Sequence, residues 1–282
     1  MRKVRRIVIL ILFFILVIPM WTNKMLEHTK MQRLNKEVVF EQDYRAQEIG
    51  EELLAYLKES DQKGCDVGLY LLESKFGYQK FQYEYSEKDF QKLERKWKKQ
   101  KEWYSYLIYN EAIWDDLKYF PIPESSTDTN LQVSYSNGWM AERNYGGKRG
   151  HEGTDIMANL NESGLFPVIS ITDGVVTNIG WLEKGGYRIG ITAPSGAYFY
   201  YAHLDSYANL KEGDRIEAGD LLGFMGDSGY GPEGTTGMFP VHLHLGMYIY
   251  PEGKEISVNP YWVLRYLEDH KVKCAYSGGD MK

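Results

Sequence analysis

The sequence predicts an α+β fold in which a small helical region precedes a mainly antiparallel β-domain. Apolar residues recur at helical spacing between residues 44 and 120. Beyond residue 131, short β-rich runs are separated by glycine-containing turns. The chain has 282 residues, which is enough for one large core or two modest domains.

The first 24 residues have the pattern of a membrane segment. Four cations precede an unbroken apolar run over residues 7–21; they are Arg2, Lys3, Arg5 and Arg6. The run is shorter than the roughly 20 residues that a spanning helix usually needs, but no Ala-x-Ala-like cleavage site follows it. We therefore predict that residues 1–24 are a cytoplasmic tip and an uncleaved transmembrane signal anchor, rather than a removed signal peptide.

The position of the cations predicts the orientation of the protein. Positive charges before a first apolar segment stay in the cytoplasm. The chain should therefore cross the cell membrane once and carry its C-terminal domain on the extracytoplasmic side.

The charge balance excludes one class of partner. The formal net charge is −6, and without the four N-terminal cations the remaining chain carries −10. An acidic body of this kind argues against nucleic-acid binding.

The two cysteines, Cys65 and Cys274, match no metal-binding spacing. We expect two unpaired thiols, although an oxidising compartment would allow them to pair.

Between the anchor and the β-domain, the sequence predicts a stalk over 25–43 and a helical region over 44–120. Ile49, Leu53 and Leu57 lie at helical spacing, and the segment SEKD, residues 86–89, resembles a capping box before a second amphipathic stretch. The simplest interpretation is a small helical bundle with an aromatic core. The alternatives are that the region contacts a protein regulator or covers the active site.

Residues 121–130, PIPESSTDTN, are predicted to be an interdomain linker because they combine prolines with turn-forming polar residues. The β-domain should then extend over 131–267. Its strands are predicted in the runs PVISI, GVVTNIGW, YRIGI, AYFYYAHL and VHLHLGMYIY. Asn259 and Pro260 should start a short closing helix, and 268–282 should be a flexible tail.

Four of the six histidines fall in the β-domain, namely His151, His203, His242 and His244. Residues two apart in a strand share a face, so His242 and His244 should reach one site together while Leu243 faces the core. A lone buried imidazole is most often a satisfied core residue. Two imidazoles on one face of an apolar strand instead favour a ligand site, because their burial without partners would be costly.

A second cluster lies upstream in the segment HEGTD, where His151 and Asp155 are four residues apart. The surrounding glycines make a helix improbable, and the helical HExxH pattern of zincins is absent. Two imidazoles and one carboxylate with an open position are typical of catalytic zinc. The same donors could hold non-haem iron, so the spacing alone leaves both metals open.

The order HEGTD, YYAHLD and VHLHLG resembles the signature of the LytM/lysostaphin-type zinc metalloendopeptidases. The resemblance extends from about Leu131 to Leu267 and includes the glycine-rich segment before the final histidine pair. It implies a LytM/lysostaphin-type β-domain that binds one Zn²⁺ ion and cleaves peptides of peptidoglycan.

The resemblance also assigns residue roles. His151, Asp155 and His244 match the zinc ligands, and His203 and His242 match the two histidines that stay off the metal and transfer protons. Tyr145 matches the tyrosine that stabilises the tetrahedral intermediate; the alternative is an ordinary loop tyrosine. Which of His203 and His242 is the general base remains open.

One departure from the family pattern concerns the loop before the last histidine pair. Here Gly229 is followed by YGPEGTTGMF and then by Pro240 and Val241. We expect this longer loop to border the substrate groove, so substrate preference cannot be carried over from the resemblance.

The sequence therefore predicts a membrane-anchored extracytoplasmic zinc metalloendopeptidase that acts on peptidoglycan stem peptides or cross-bridges. The alternative is a non-catalytic LytM-domain scaffold or wall-binding protein of cell division or sporulation. A third hypothesis for the same residues is an iron oxygenase or another carbohydrate-active β-barrel.

Overall fold

The structure is a computed structural model that describes residues 2–144 and 147–278, without the side chains of residues 2–4 and 7–12. Its described helices are α1 Arg2–Met31, α2 Gln42–Arg45, α3 Glu51–Leu57, α4 Lys63–Glu73, α5 Glu87–Trp97, α6 Trp103–Trp114 and α7 Tyr261–Leu267. Two 3₁₀ turns cover Val38–Phe40 and Pro251–Gly253. All but α7 and the second turn precede the β-domain, which confirms the predicted order of a helical region and then a β-domain.

Helix α1 includes the predicted anchor and continues beyond it to Met31. Met1 and the side chains of residues 7–12, which belong to the apolar run, lie outside the described residues. Among the residues that are described, no helix has the length and hydropathy needed to cross a membrane.

The segment expected to be a stalk over 25–43 differs from that expectation. Leu34, Val38 and Val39 are buried in the core of the helical region. Lys30 reaches the buried carboxylate of Glu73 in α4 with a distance of 2.8 Å between Nζ and Oε2. Apolar burial and this ion pair hold the end of α1 against the helices.

The helical region is built around aromatic side chains, as the simplest interpretation of its sequence predicts. Its largest fully buried side chains include those of Trp97, Trp103 and Trp114. Ser86 is the N-cap of α5, and its side chain accepts a hydrogen bond from the Asp89 amide, so the predicted cap is confirmed.

The β-domain is built mainly from short strands. They are β1 Glu124–Ser125, β2 Val133–Tyr135, β3 Glu142–Arg143, β4 Arg149–Gly150, β5 Thr154–Ala158, β6 Pro167–Ile169, β7 Gly174–Leu182, β8 Gly186–Thr192, β9 Tyr198–Tyr207, β10 Arg215–Ile216, β11 Leu221–Met225, β12 His242–Ile249, β13 Ile256–Val258 and β14 Lys273–Cys274.

Ten of these strands form one antiparallel sheet, which confirms the predicted architecture. Its main path has the order β10-β7-β8-β9-β12-β5-β2, with β11 and β6 attached through β9, and β13 attached to β12. Strand β12 is therefore an interior strand, between β9 and β5. Its residues Leu243, Leu245 and Met247 are fully buried, as alternation predicts for the core face.

The predicted linker and tail pair with each other. Strand β1 runs parallel to β14, with Glu124 opposite Lys273 and Ser125 opposite Cys274. The tail is therefore ordered at this point, whereas residues 279–282 lie outside the described part of the chain. Cys65 and Cys274 are both free thiols, in agreement with the expected unpaired state.

Helix α7, which closes the β-domain, begins at Tyr261. This start is one residue after Pro260, the predicted first helical position. The Asn259 side chain accepts a hydrogen bond from the Tyr261 amide at 3.0 Å. Asn259 also contacts the helical region, because its own amide donates to the carbonyl of Arg45 at 2.8 Å. The end of the β-domain is thus hydrogen-bonded directly to the N-terminal helices.

Candidate metal centre and cleft

The sheet register brings the predicted metal ligands together. His244 on β12 lies directly opposite Asp155 on β5. His151 lies in the loop just before β5, and its side chain returns to the same face of the sheet. Two neighbouring strands and one loop therefore place three potential ligands at one point.

The donor atoms of this cluster converge. His151 Nε2 lies 3.0 Å from Asp155 Oδ1 and 3.0 Å from His244 Nδ1, and His244 Nδ1 lies 2.9 Å from Asp155 Oδ1. Zinc bonds to nitrogen and oxygen are about 2.0–2.2 Å, so tetrahedral ligands lie about 3.3 Å apart. The cluster is slightly tighter than that, and its two imidazoles and one carboxylate suit Zn²⁺.

The surroundings of the ligands orient both imidazole rings. His151 Nδ1 lies 3.3 Å from the Gly138 carbonyl, which as an acceptor leaves Nε2 free to bind metal. Gly153 makes room for the other ring, since a Cβ there would lie 2.5 Å from His244 Cε1 and 2.7 Å from its Nε2. The glycine within HEGTD is therefore required for space rather than for a turn.

The electrostatics of the cluster favour an ionised carboxylate. Burial alone would raise the pKa of Asp155, but the adjacent imidazoles of His151 and His244 outweigh burial and hold this pKa well below its usual range. Arg143 also pairs with the second carboxylate oxygen, Oδ2. Asp155 is thus an anion that is available as a metal ligand.

His203 and His242 lie beside the ligands but outside the cluster, with 4.7 Å between their ring centroids. Each is bound through Nδ1 to a backbone carbonyl: His203 to Ser228 at 2.8 Å and His242 to Pro240 at 2.7 Å. Nδ1 must be the donor in both contacts, so Nε2 of each ring carries a lone pair. Both rings line the cleft.

Burial keeps these two imidazoles neutral. It lowers the pKa of His203 to about 3, with a smaller effect from the neighbouring His242 and His244, and it also lowers the pKa of His242. A neutral imidazole with a free Nε2 has the lone pair that a general base needs, while the lowered pKa makes protonation less favourable than for an exposed histidine.

The cluster lies in a cleft of about 490 Å³. The long loop before β12 borders this cleft, as predicted, because the ring of Phe239 lies 4.6 Å from that of His203 and 5.0 Å from that of His242. All lining residues fall between Arg143 and Glu255. Within the described chain, the helical region therefore lies beside the cleft and does not cover it.

The structure also adds residues that sequence reasoning missed. Tyr230, Phe239, Arg149, Arg188 and Tyr200 line the cleft. Alternation on β8 and β9 could have indicated Arg188 and Tyr200, but only the sheet order shows that β9 lies beside β12 and β8 beside β9. Tyr145, the predicted oxyanion donor, lies outside the described residues.

Comparisons with known proteins agree with the fold and with the predicted family. Residues 29–116 match the LytM N-terminal domain, and residues 149–260 match Peptidase family M23. A solved structure of a provisional glycyl-glycine endopeptidase LytM from Ruminococcus gnavus is 60% identical, and the match covers 88% of this chain and 99% of that chain with a TM-score of 0.84.

Two curated relatives match part of the chain. The L-Ala--D-Glu endopeptidase of Bacillus subtilis is 43% identical over 153 residues, which are 54% of this chain and 44% of the relative. The glycyl-glycine endopeptidase ALE-1 of Staphylococcus capitis is 33% identical over 113 residues, 37% of this chain and 30% of the relative. The chain thus spans less than half the length of these relatives.

The antiparallel sheet and the His-Asp-His cluster define a zinc metallopeptidase domain. The chain belongs to peptidase family M23, with a LytM N-terminal domain before the peptidase domain. His151, Asp155 and His244 are the residues of this domain that could hold the metal ion.

Proposed function

We propose that the protein is a metalloendopeptidase that hydrolyses peptide bonds in the stem peptides or cross-bridges of peptidoglycan. One observation carries this proposal: a three-donor metal site and two neutral imidazoles lie in the same cleft. The relatives named as L-Ala--D-Glu and glycyl-glycine endopeptidases support a peptide substrate of this class.

The residues of the cleft divide the hydrolysis between them. Zinc bound by His151, Asp155 and His244 would polarise the scissile carbonyl and lower the pKa of a bound water to about 7. Nε2 of His203 or of His242 accepts the proton of the attacking water. The same pair returns a proton to the departing amine, so one water is consumed and a carboxyl and an amine are released.

The test combines metal analysis with product analysis. The purified full chain should contain about one zinc ion, and mass spectrometry should detect new amine and carboxyl termini in peptidoglycan fragments that it releases. His244→Ala should lose both zinc and activity, whereas His203→Ala should keep zinc and lose most activity. Undiminished digestion by His244→Ala would contradict the proposal.

The filled ligand set favours an enzyme over the non-catalytic scaffold. A scaffold has no need for an ionised Asp155 between two imidazoles, or for two further rings whose Nε2 atoms remain free. A protein that binds peptidoglycan and releases no fragments from it would instead support the scaffold.

For location, we propose that residues 1–24 anchor the protein in the cell membrane and that its peptidase domain is extracytoplasmic. The support is the sequence alone, in which four cations precede the apolar run 7–21. The full chain should resist extraction from membranes at alkaline pH, and its C-terminal domain should be digested by protease added to spheroplasts. Recovery in the soluble fraction would contradict the anchor.

For the helical region, we propose a role as the docking site of a protein regulator. The support is that this region touches the β-domain beside the metal-binding loop, where Arg45 Nη2 lies 2.7 Å from Glu152 Oε1. Crosslinking in cells should capture a partner on residues 44–120. A partner that crosslinks only to the β-domain would contradict this role.

A further inference from the structure

The cleft is positively charged although the chain as a whole is acidic. Four cations line it, namely Arg143, Arg149, Lys184 and Arg188, in a protein of net charge −6. Arg143 is neutralised by Asp155. The other three cations form no ion pair with any residue that the structure describes.

Two of these cations also have unused hydrogen-bond donors. Nε of Arg149 and Nη1 of Arg188 are buried atoms without a hydrogen-bond partner among the described residues. A buried guanidinium N–H without a partner is costly, and such groups are nearly always satisfied in native proteins. Donors of this kind beside a cleft are available to a ligand.

The two guanidinium groups lie near the metal site. Arg149, Arg188 and Tyr200 all line the cleft that contains the metal ligands. The Tyr200 ring lies 6.1 Å from that of the metal ligand His244. The two arginines therefore lie on the cleft wall next to the reacting centre.

Two of the three acidic groups of the cleft, Glu152 and Asp155, are already paired with cations or imidazoles. Glu152 pairs with Arg45, and Asp155 is held by the histidines and Arg143. Glu255 accepts a hydrogen bond from Tyr250 at 3.1 Å. None of the three carboxylates forms an ion pair with Arg149 or Arg188. The positive charge of the two arginines is therefore available to a substrate.

We infer that Arg149 and Arg188 form a subsite for a free carboxylate carried by the substrate peptide beside the scissile bond. Guanidinium groups bind carboxylates through paired N–H donors, which gives both strength and orientation. This inference rests on the proposed peptidase function. It selects stem peptides that carry free carboxylates over neutral, glycine-only bridges.

The test compares one peptidoglycan preparation before and after its carboxylates are converted to carboxamides by carbodiimide coupling with ammonia. The full-length zinc enzyme should digest the untreated material about tenfold faster or more. Arg149→Gln and Arg188→Gln should each slow digestion of untreated peptidoglycan towards the amidated rate, mainly through KM, and leave the amidated rate and zinc content unchanged. Arg215→Gln, which removes one exposed cation on β10, is the matched control and should behave like the unmodified chain.

Cosedimentation with both preparations separates this inference from the proposed function. Equal digestion of untreated and amidated peptidoglycan would overturn the carboxylate subsite and leave the peptidase function intact. No digestion of either, combined with Arg149- and Arg188-dependent binding of untreated material only, would overturn the peptidase function and support the subsite. No digestion and no difference in binding would overturn both.

Discussion

Three histidines of the cleft each make the same kind of contact, from Nδ1 to a backbone carbonyl. Nδ1 of His151, His203 and His242 each lies within hydrogen-bond distance of a backbone carbonyl, so Nε2 of each ring is left with its lone pair. His203 also has a φ of 63°, a conformation that costs free energy for a residue with a side chain. Nearby backbone, rather than other side chains, therefore sets the tautomers that proton transfer needs.

Gly153→Ala tests the space behind His244. The new Cβ would lie 2.5 Å from His244 Cε1 and 2.7 Å from the Leu245 carbonyl oxygen, so the imidazole must move away from Asp155. We expect zinc affinity to fall about 10- to 100-fold, measured by competition with a chromogenic chelator. Gly278→Ala is the control, because its Cβ would meet only Leu160 Cδ2 at 3.9 Å. Equal zinc affinity in both variants would disprove the steric role.

At the scale of elements, close packing of α4 on α6 organises the helical region. Gly64 and Gly68 allow the two helices to approach, and the Tyr106 hydroxyl of α6 donates to the Gly68 carbonyl at 3.0 Å. In the β-domain, the register of the strands organises the structure, because it places His244 opposite Asp155.

Gly64→Ala should destabilise the protein although alanine is the better helix former. Helix propensity favours Ala over Gly by about 1 kcal/mol. The new Cβ would lie 2.5 Å from the backbone of Glu111, which cannot rotate away, and overpacking of this kind costs about 1–3 kcal/mol or more. We expect Tm to fall by roughly 5 °C in thermal unfolding followed by circular dichroism. A rise in Tm would show that the helices can separate freely.

Asp66 on α4 should make stability depend on pH. Burial raises its pKa to about 6, against the opposing hydrogen bonds from Ser60 and Tyr56. A carboxyl whose pKa is higher in the folded state stabilises the protein below about pH 4 and loses that contribution as pH rises through 6.

Removal of this carboxyl should therefore matter more at higher pH. Relative to the unmodified chain, Asp66→Asn should gain on the order of 2 kcal/mol of unfolding free energy between pH 4 and pH 7. Urea unfolding in EDTA measures this gain without a contribution from metal release. A relative loss of stability with rising pH would contradict the raised pKa.

At the scale of the whole molecule, Arg45 joins the helical region to the metal-binding loop. Its guanidinium donates to the Ser257 carbonyl at 2.9 Å and pairs with Glu152, the residue after His151. It also lies 5.7 Å from the centre of the Trp139 ring. The N-terminal domain therefore supports the site from outside the cleft.

Arg45→Ala should weaken both the interface and the metal site. Glu152 is partly exposed, so the ion pair itself contributes little, and the loss arises mainly from the hydrogen bonds to Ser257. We expect about 2 kcal/mol of destabilisation and a severalfold lower zinc affinity, measured by thermal unfolding and chelator competition. Arg45→Lys keeps the charge without the forked donors and should recover little of either. Full recovery by lysine would show that charge alone matters.

The sequence by itself determined the parts of this protein that depend on local pattern. Alternation along β12 separates His242 and His244 from Leu243, the cap at Ser86 starts α5, and the order of the histidine motifs indicates the metal ligands. Each of these follows from chemistry within a few neighbouring residues. The same local reasoning predicts a stalk over 25–43. It does not show that Leu34 and Val38 are buried, because their burial depends on helices far along the chain.

Only the tertiary structure decided which residues surround those ligands. The pairing of β8, β9 and β12 brings Arg188 and Tyr200 to the cleft, and the loop before β12 brings Phe239 onto the rings of His203 and His242. Arg45 reaches Glu152 across 107 positions of sequence. Register and domain packing arise from contacts between distant segments, which a local pattern of residue types does not encode.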